Sequence, residues 1–316
     1  MTRYLLRRLG TALLVLVALS LLAFGMVRLI PGDPALAYLS TDDPDPAQLT
    51  QIRQQLGLDR SWTSQYLSWL GGVLHGDFGR SLTRPTEISE QLFSRLPVSI
   101  ELSVLAVLIA LVAGIPLGVL AAVRSGRPAD LAVRGSSFLL LSIPPFIVAT
   151  VVLLVNAQTL RARLIGYVPF TESPLESLRL LLLPAIILAL PVGALFSRYT
   201  RGAVVDALSQ DYVRTARAKG APVRRIVTVH ALRNALVPVM TVVGIQLGAL
   251  IGGTIVIETV FALPGMGSLL IDAINTSDYP TIQGCVLVLG FVYVLINLAV
   301  DLLYPLVDPR VRTATR

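Results

Sequence analysis

Cysteine, lysine and histidine are almost missing from this 316-residue chain, and each shortage excludes a chemistry. Cys285 stands alone, so neither an internal disulfide nor a cysteine metal cage is available, and its place in the last apolar run suits a small core residue. Two histidines, His75 and His230, lie far apart and make no histidine-rich metal site. The only lysine is Lys219, set between Ala218 and Gly220. A phosphate-binding loop needs G-x-x-x-x-G-K-[ST], whose backbone N–H groups and lysine hold the phosphates, so this chain does not bind ATP that way. Charge is scarce too: 14% of residues are Asp, Glu, Lys or Arg, where a soluble domain carries about 25%. Ten-residue stretches of alternating polarity are also lacking, which argues against a membrane barrel.

What is present is apolar sequence, 54% of the chain, with a mean hydropathy of +0.74. A spanning helix needs about 20 apolar residues, and six runs qualify: 9–30, 98–123, 136–157, 180–197, 237–257 and 284–307. Backbone groups in lipid must pair internally, so the expected fold is an all-α integral membrane protein with six transmembrane helices. The basic start MTRYLLRRLG followed by an apolar run could be a signal peptide. The run is long for one and PGDP follows in place of an A-x-A-like site, so it reads as a retained first span. With the N-terminus inside, the inside segments (1–8, 124–134, 198–233, 308–316) hold 17 basic and 4 acidic residues, and the outside segments (31–97, 158–179, 258–283) hold 8 and 13. The net charge of +7 therefore sets topology rather than signalling nucleic acid, and both termini are expected in the cytoplasm.

The chain divides into 1–30 (cytoplasmic N-terminus and first span), 31–97 (an external segment between helices 1 and 2), 98–307 (the core of spans two to six) and a cytoplasmic tail, 308–316. Within 31–97, Asp45-Pro46 looks like a helix start, and 46–57 fits a short amphipathic helix ended by Gly57. A second helix is expected over 61–74, where Trp62, Tyr66 and Trp69 suit a helix lying at the bilayer surface or a docking face for an external partner. Prolines 116, 144, 145, 184 and 191 lie in the spans and suit a bundle that moves. Gly244, Gly248 and Gly252 share one face of the fifth span, for packing within the chain or against another subunit. Residues 263–267 read as a turn and 268–275 as a short amphipathic helix, in a re-entrant piece or an ordinary loop.

The richest segment is the basic loop 198–236, above all 211–238, DYVRTARAKGAPVRRIVTVHALRNALVP, with six cations between two apolar runs. Asp211 can cap a helix beginning at Tyr212, and Gly220 followed by Ala221-Pro222 ends it. Tyr212, Thr215, Ala216 and Lys219 fall on one face, Ala216 and Gly220 are small, and Arg214 and Arg217 flank them. A second helix starts at Pro222, and Pro238 marks entry to the fifth span. A basic loop on anionic lipid explains the charge; a protein dock also explains the caps and the stop.

These residues closely resemble the cytoplasmic signature loop of ATP-binding-cassette importer permeases, in the dipeptide/oligopeptide (peptide/nickel) branch and its first-permease subfamily. The family's pattern is EAA, three residues, then Gly; Arg214-Thr215-Ala216 take the triplet and Gly220 the glycine, without the glutamate. TRYLLRRL, RLIPGDP (28–34), LGLDR (56–60), HGDFGRS (75–81), ETVFALPGMGSLL (258–270), SDYPTIQG (277–284) and DLLYPLVDPRVR (301–312) match that branch in order. The resemblance implies a type I importer permease fold in a bacterial inner membrane. It implies that Asp211, Tyr212, Val213, Arg214, Thr215, Ala216, Arg217, Ala218, Lys219 and Gly220 form a coupling helix entering an ATPase subunit. The partners implied are a second homologous permease, two ABC ATPase subunits or one fused, an extracytoplasmic substrate-binding protein and the bilayer, with no nucleic acid. No cofactor sits in this chain; ATP and Mg belong to the ATPases. The substrate expected is a di- or oligopeptide, the alternative a nickel chelate, glutathione or haem. Gln246 and Asn297, with the three glycines of the fifth span, are candidates for the pathway or for helix packing. An intramembrane enzyme is disfavoured: no H-E-x-x-H occurs, and Glu101 and Asp301, the acids in the apolar runs, lie near helix ends where they reach the interface or pair structurally. A channel reading leaves the basic helix without purpose.

Overall fold

Five continuous helices of the computed structural model are long and apolar enough to cross a membrane, and a bent pair supplies a sixth. The structure describes residues 2–29, 50, 59–84 and 86–307. The helix expected over 46–57, Thr50 apart, the tail 308–316 and the side chain of Arg28 lie outside the described residues. The spanning elements are α1 (Thr2–Leu29), α3 (Ile88–Val123), the pair α4 (Pro128–Ser142) and α5 (Pro145–Gln158), α6 (Pro174–Leu208), α9 (Leu232–Val260) and α11 (Tyr279–Val307). Between them lie α2 (Trp62–Leu74), α7 (Asp211–Ala218), α8 (Val223–Arg225) and α10 (Met266–Asn275). Among the described residues, the only extended pairing is an isolated bridge between Arg80 and Glu87.

The core sits where α3, α6 and α9 meet. Leu102, Ala106 and Ala110 of α3 pack with Ala185, Leu188 and Phe196 of α6 and with Val243, Leu250 and Ile257 of α9. Glycine lets α3 and α6 approach closely. A Cβ at Gly114 would stand 2.6 Å from the Gly193 carbonyl, and one at Gly118 would stand 2.5 Å from that of Ser197. Backbones this near leave little lipid between them, which is how small residues hold membrane helices together.

The third span is not one rod. It turns through 91° between Ser142 and Pro145, although the apolar run 136–157 is unbroken in sequence. Pro144 and Pro145 explain the break, since neither has an N–H to give and each disfavours helical geometry in the residue before it. The other span prolines do not break their helices: Pro116 stays within α3, and Pro184 and Pro191 within the 35-residue α6. That helix outruns the apolar stretch 180–197 at both ends.

Around this core α1 is fastened to α11. Arg8 pairs with Asp301 at 3.0 Å, Gln283 Nε2 donates to the Ala23 carbonyl at 3.1 Å, and Gly290 admits the Leu19 side chain. The second helix expected over 61–74 is present as α2, capped by Ser61, and the Tyr66 and Trp69 rings meet Phe24 of α1 edge-on and tilted, with centroids at 5.3 and 5.7 Å.

Candidate functional site

The basic segment folds as expected in outline and differs in detail. Helix α7 spans eight residues, and Asp211 is its first residue rather than its cap. Gln210 takes the cap position in extended geometry without a side-chain bond, because the turn after α6 delivers Gln210, not Asp211, to that place. The Asp211 carboxylate pairs instead with Arg214 at 3.2 Å; both side chains are exposed, so the pair contributes little. The far end is a full Schellman turn: Gly220 N–H donates to Arg217 O at 2.9 Å and Ala221 N–H to Ala216 O at 3.1 Å. Gly220 sits at φ +77°, the left-handed region that favours glycine.

One apolar side chain anchors this rod. Val213 is fully buried, whereas Arg214, Thr215, Arg217, Ala218 and Lys219 are exposed and Ala216 is half-buried. Tyr212 Oη accepts a hydrogen bond of 3.1 Å from Asn234 Nδ2 at the start of α9. The second helix expected from Pro222 is not separate. Pro222 caps the short α8, which runs through a π-helical segment, Ile226–Ala231, straight into α9. Ile226, Val227 and Ala231 are buried, so the wide turn is packed rather than frayed. Helical π segments recur at functional sites because they misalign successive turns. Pro238 lies within α9, and the apolar span begins there.

Three spans meet near the ends of α6 and α9 that flank this segment. Val204 of α6, Ala235 of α9 and Ala122 of α3 form a buried cluster, with Leu208 and Leu232 packed on it. Arg201 of α6 grips Asp130 of α4 through two bonds of 2.6 and 2.8 Å, and Gly126 N–H adds a third at 3.0 Å. A push on α7 therefore reaches α6 and α9 directly, and α4 through the ion pair.

The other candidates separate. Gly244 faces Val300 and Gly248 faces Tyr293 and Asn297, so two of the three glycines serve packing of α9 on α11 within the chain. Gly252 faces open space. Asn297 Nδ2 donates to the Tyr293 carbonyl at 2.9 Å on that same packed seam. Gln246 stands elsewhere. It is the polar member of an apolar cleft of about 240 Å³, lined by Pro145 and Phe146 at the break of the third span, Leu188 and Pro191 of α6, and Leu250 of α9.

At the opposite end two buried acids escaped the reading of the sequence as site residues. Glu258 is fully buried and accepts from Ser99 Oγ at 2.6 Å, Gly267 N–H at 2.8 Å and Ser268 N–H at 3.2 Å. It thereby joins α9, α3 and the start of α10, and the segment 263–275 is a packed element with Met266, Leu269 and Ala273 buried, not an ordinary loop. Asp278 accepts from Ser81 Oγ, Leu82 N–H and Thr281 Oγ1, tying the segment before α3 to the start of α11. An acid just before Tyr-Pro at a helix start was the available signal. Beside this end, Tyr167 Oη donates to Glu101 at 3.1 Å. Burial, and then the Glu101 charge, push the phenol up to about 12, so it remains a donor.

Two family models match the chain. Residues 114–313 match the binding-protein-dependent transport system inner membrane component, and residues 1–103 match the N-terminal part of such membrane components. A Brucella abortus (strain 2308) protein whose name places it in a peptide transport system as permease is 42% identical over 313 residues, 99% of each chain. The dipeptide transport system permease protein DppB of Escherichia coli (strain K12) is 38% identical over 336 aligned positions, again 99% of each.

Proposed function

This chain belongs to the family of binding-protein-dependent transport system inner membrane components, and from that premise we infer that it is the permease subunit of an ATP-driven importer of di- or oligopeptides. Family membership makes it a multi-pass membrane transport component rather than an enzyme. The peptide substrate rests on the names of relatives that match it from end to end. In this reading the chain forms half of the pathway with a second, similar permease. Two ATPase subunits supply ATP and Mg chemistry, a binding protein delivers substrate from outside, and both termini lie in the cytoplasm.

The observation that carries the coupling role is the construction of α7. A rod about 12 Å long is closed at its far end by the Gly220 turn, held by the buried Val213 and the Tyr212–Asn234 hydrogen bond, and otherwise presents exposed cations and small residues. It is built to enter a cleft on another protein as a rigid body. Closure of an ATP-bound ATPase pair would shift α7, and α6 and α9 would rock with it about the cluster of Ala122, Val204 and Ala235. Import then follows as a population shift between inward- and outward-open bundles, driven by the differential affinity of the two for nucleotide-loaded ATPase. The cleft beside Gln246, against the broken third span, is the stretch of pathway this chain contributes.

The test places a bulky charge on the docking face. Ala216→Glu and Gly220→Asp should leave membrane insertion intact while the ATPase subunits no longer co-purify and peptide uptake falls by more than about tenfold, the effect of a buried unpaired charge at an interface. Normal assembly and uptake in both variants would reject the docking role.

A further inference from the structure

A groove of about 510 Å³ opens between residues 131–141 of α4 and residues 197–202 of α6, and shares no lining residue with the docking helix or with the Gln246 cleft. Its walls are of two kinds. Arg134, Arg198, Arg201 and Ser197 line one part, and Leu131, Phe138 and Leu141 the other. Arg134, Phe138 and Leu141 follow at intervals of four and three along α4, so one face of the helix passes from charge at the basic end of the bundle to apolar surface deeper in. Phe138 is 72% exposed and Leu131 62%, so none of the described residues covers them.

The charge in the groove is unbalanced. Arg201 is committed to Asp130. Among the described residues, neither Arg134 nor Arg198 makes an ion pair, and Arg198 lies over the ring of its neighbour Tyr199. A further group calls for a partner: Ser197 is 2% exposed and lines the groove, yet its hydroxyl has no hydrogen-bond partner among the described residues. A buried hydroxyl left unpaired costs free energy that a ligand oxygen can recover.

The geometry points to a binding site for one anionic phospholipid of the cytoplasmic leaflet, its phosphate held by Arg134, Arg198 and the Ser197 hydroxyl and an acyl chain laid along Phe138 and Leu141. Basic pockets between spanning helices on the cytoplasmic side take anionic headgroups. A protein partner fits less well, because the centre of a protein interface is depleted of unpaired charge. Bound there, the lipid would brace α4 against α6 next to the Asp130–Arg201 pair, and so steady the elements that α7 moves. The site does not depend on which solute is carried.

Purified full-length chain, exchanged into nanodiscs of phosphatidylethanolamine with a minority of cardiolipin, provides the test, with native mass spectrometry counting retained lipid. The wild type should keep cardiolipin in preference to phosphatidylethanolamine. Arg134→Gln with Arg198→Gln should weaken that retention about twenty-five-fold, the product of two surface cations at roughly fivefold each. Ser197→Ala should weaken it less. Gly135→Phe, which fills the groove from an open position without altering charge, should abolish it. Arg224→Gln with Arg225→Gln, exposed and outside the lining of the groove, should change nothing. Equal retention in the wild type and the groove variants overturns the proposal. So does displacement of cardiolipin by inorganic phosphate alone, which would mark a free-anion site. Phe138→Cys cross-linking to a second permease chain in the assembled importer would also overturn it, since the groove would then be a protein interface.

Discussion

At the residue scale, Glu258 makes the clearest case. Its carboxylate accepts from the Gly267 and Ser268 N–H groups and fixes the Ser99 hydroxyl, which itself accepts from Met266 N–H at 2.9 Å. Removing it strands several buried donors, each costing about 1–3 kcal/mol. Glu258→Ala should therefore lower stability by about 3 kcal/mol or more, while Glu258→Gln, which keeps an acceptor oxygen, should lose less. Thermal unfolding in detergent, followed by tryptophan fluorescence, would rank the two, and equal losses would count against the network. Tyr167 gives a pH signature at the same scale. A phenol raised from its ordinary 10.0 to about 12 contributes stability that is whole below pH 10 and is lost as the pH climbs toward 12. Tyr167→Phe should flatten that alkaline limb of the stability curve and leave the neutral range without a pH-dependent change. Neither acid network was legible as a site in the sequence. Glu258 and Asp278 read as members of an acidic outside loop, and only the fold brings Ser99 and Ser81 to them from more than 150 positions away.

At the scale of elements, the spacing of apolar residues located all six spans, because lipid demands about twenty apolar residues in a row and little else. What the spacing could not give was the shape of the third. Prolines 116, 184, 191 and 144–145 look alike in sequence, yet only the adjacent pair, between Ser142 and Pro145, carries the 91° break. A lone proline loses one backbone bond, which neighbouring helices can make good; two in succession remove consecutive bonds. The end of α7 was legible for a stronger reason. Gly220 is required at φ +77°, so the glycine itself announced the stop. Gly220→Val should cost about 1–2 kcal/mol locally, fray α7 and lower uptake while the spans stay folded. Hydrogen exchange of the 211–220 amides would report the fraying, and unchanged protection would argue that the turn is not what holds the rod. Asp211 was misplaced by one position because an acid beginning a helix fits both the cap and the first turn.

At the scale of the molecule, two ends of the bundle carry different hardware. One end clasps α3, α9, α10 and α11 through Glu258 and Asp278; the other joins α3, α6 and α9 at Ala122, Val204 and Ala235, ties α7 to α9 through Tyr212 and Asn234, and holds α4 by Asp130 and Arg201. The contact between α3 and α6 runs the length between them, and Gly118 is where it is closest. Gly118→Leu should force those helices apart and abolish uptake through loss of the fold, seen as failure to accumulate in the membrane. Arg201→Ala should instead leave an accumulating protein with Asp130 buried and without its ion pair, less stable than Arg198→Ala, because among the described residues Arg201 alone bonds that acid through a charged side chain and Arg134 acts on it only at longer range. The family was readable across the whole sequence from motifs that lie mostly at helix ends, where local backbone geometry restricts the residue. The pathway was not, because an apolar cleft with one glutamine is made by packing and leaves no motif.

The most direct measurement exploits the single, buried Cys285, which leaves the exposed face of α7 free for a new thiol. In an importer reconstituted with its ATPase subunits, Ala218→Cys should cross-link to an ATPase subunit through a short bis-thiol reagent, with a yield that changes between nucleotide-free and ATP-bound states. Full peptide uptake with no cross-link to an ATPase in either state would contradict the account at its centre.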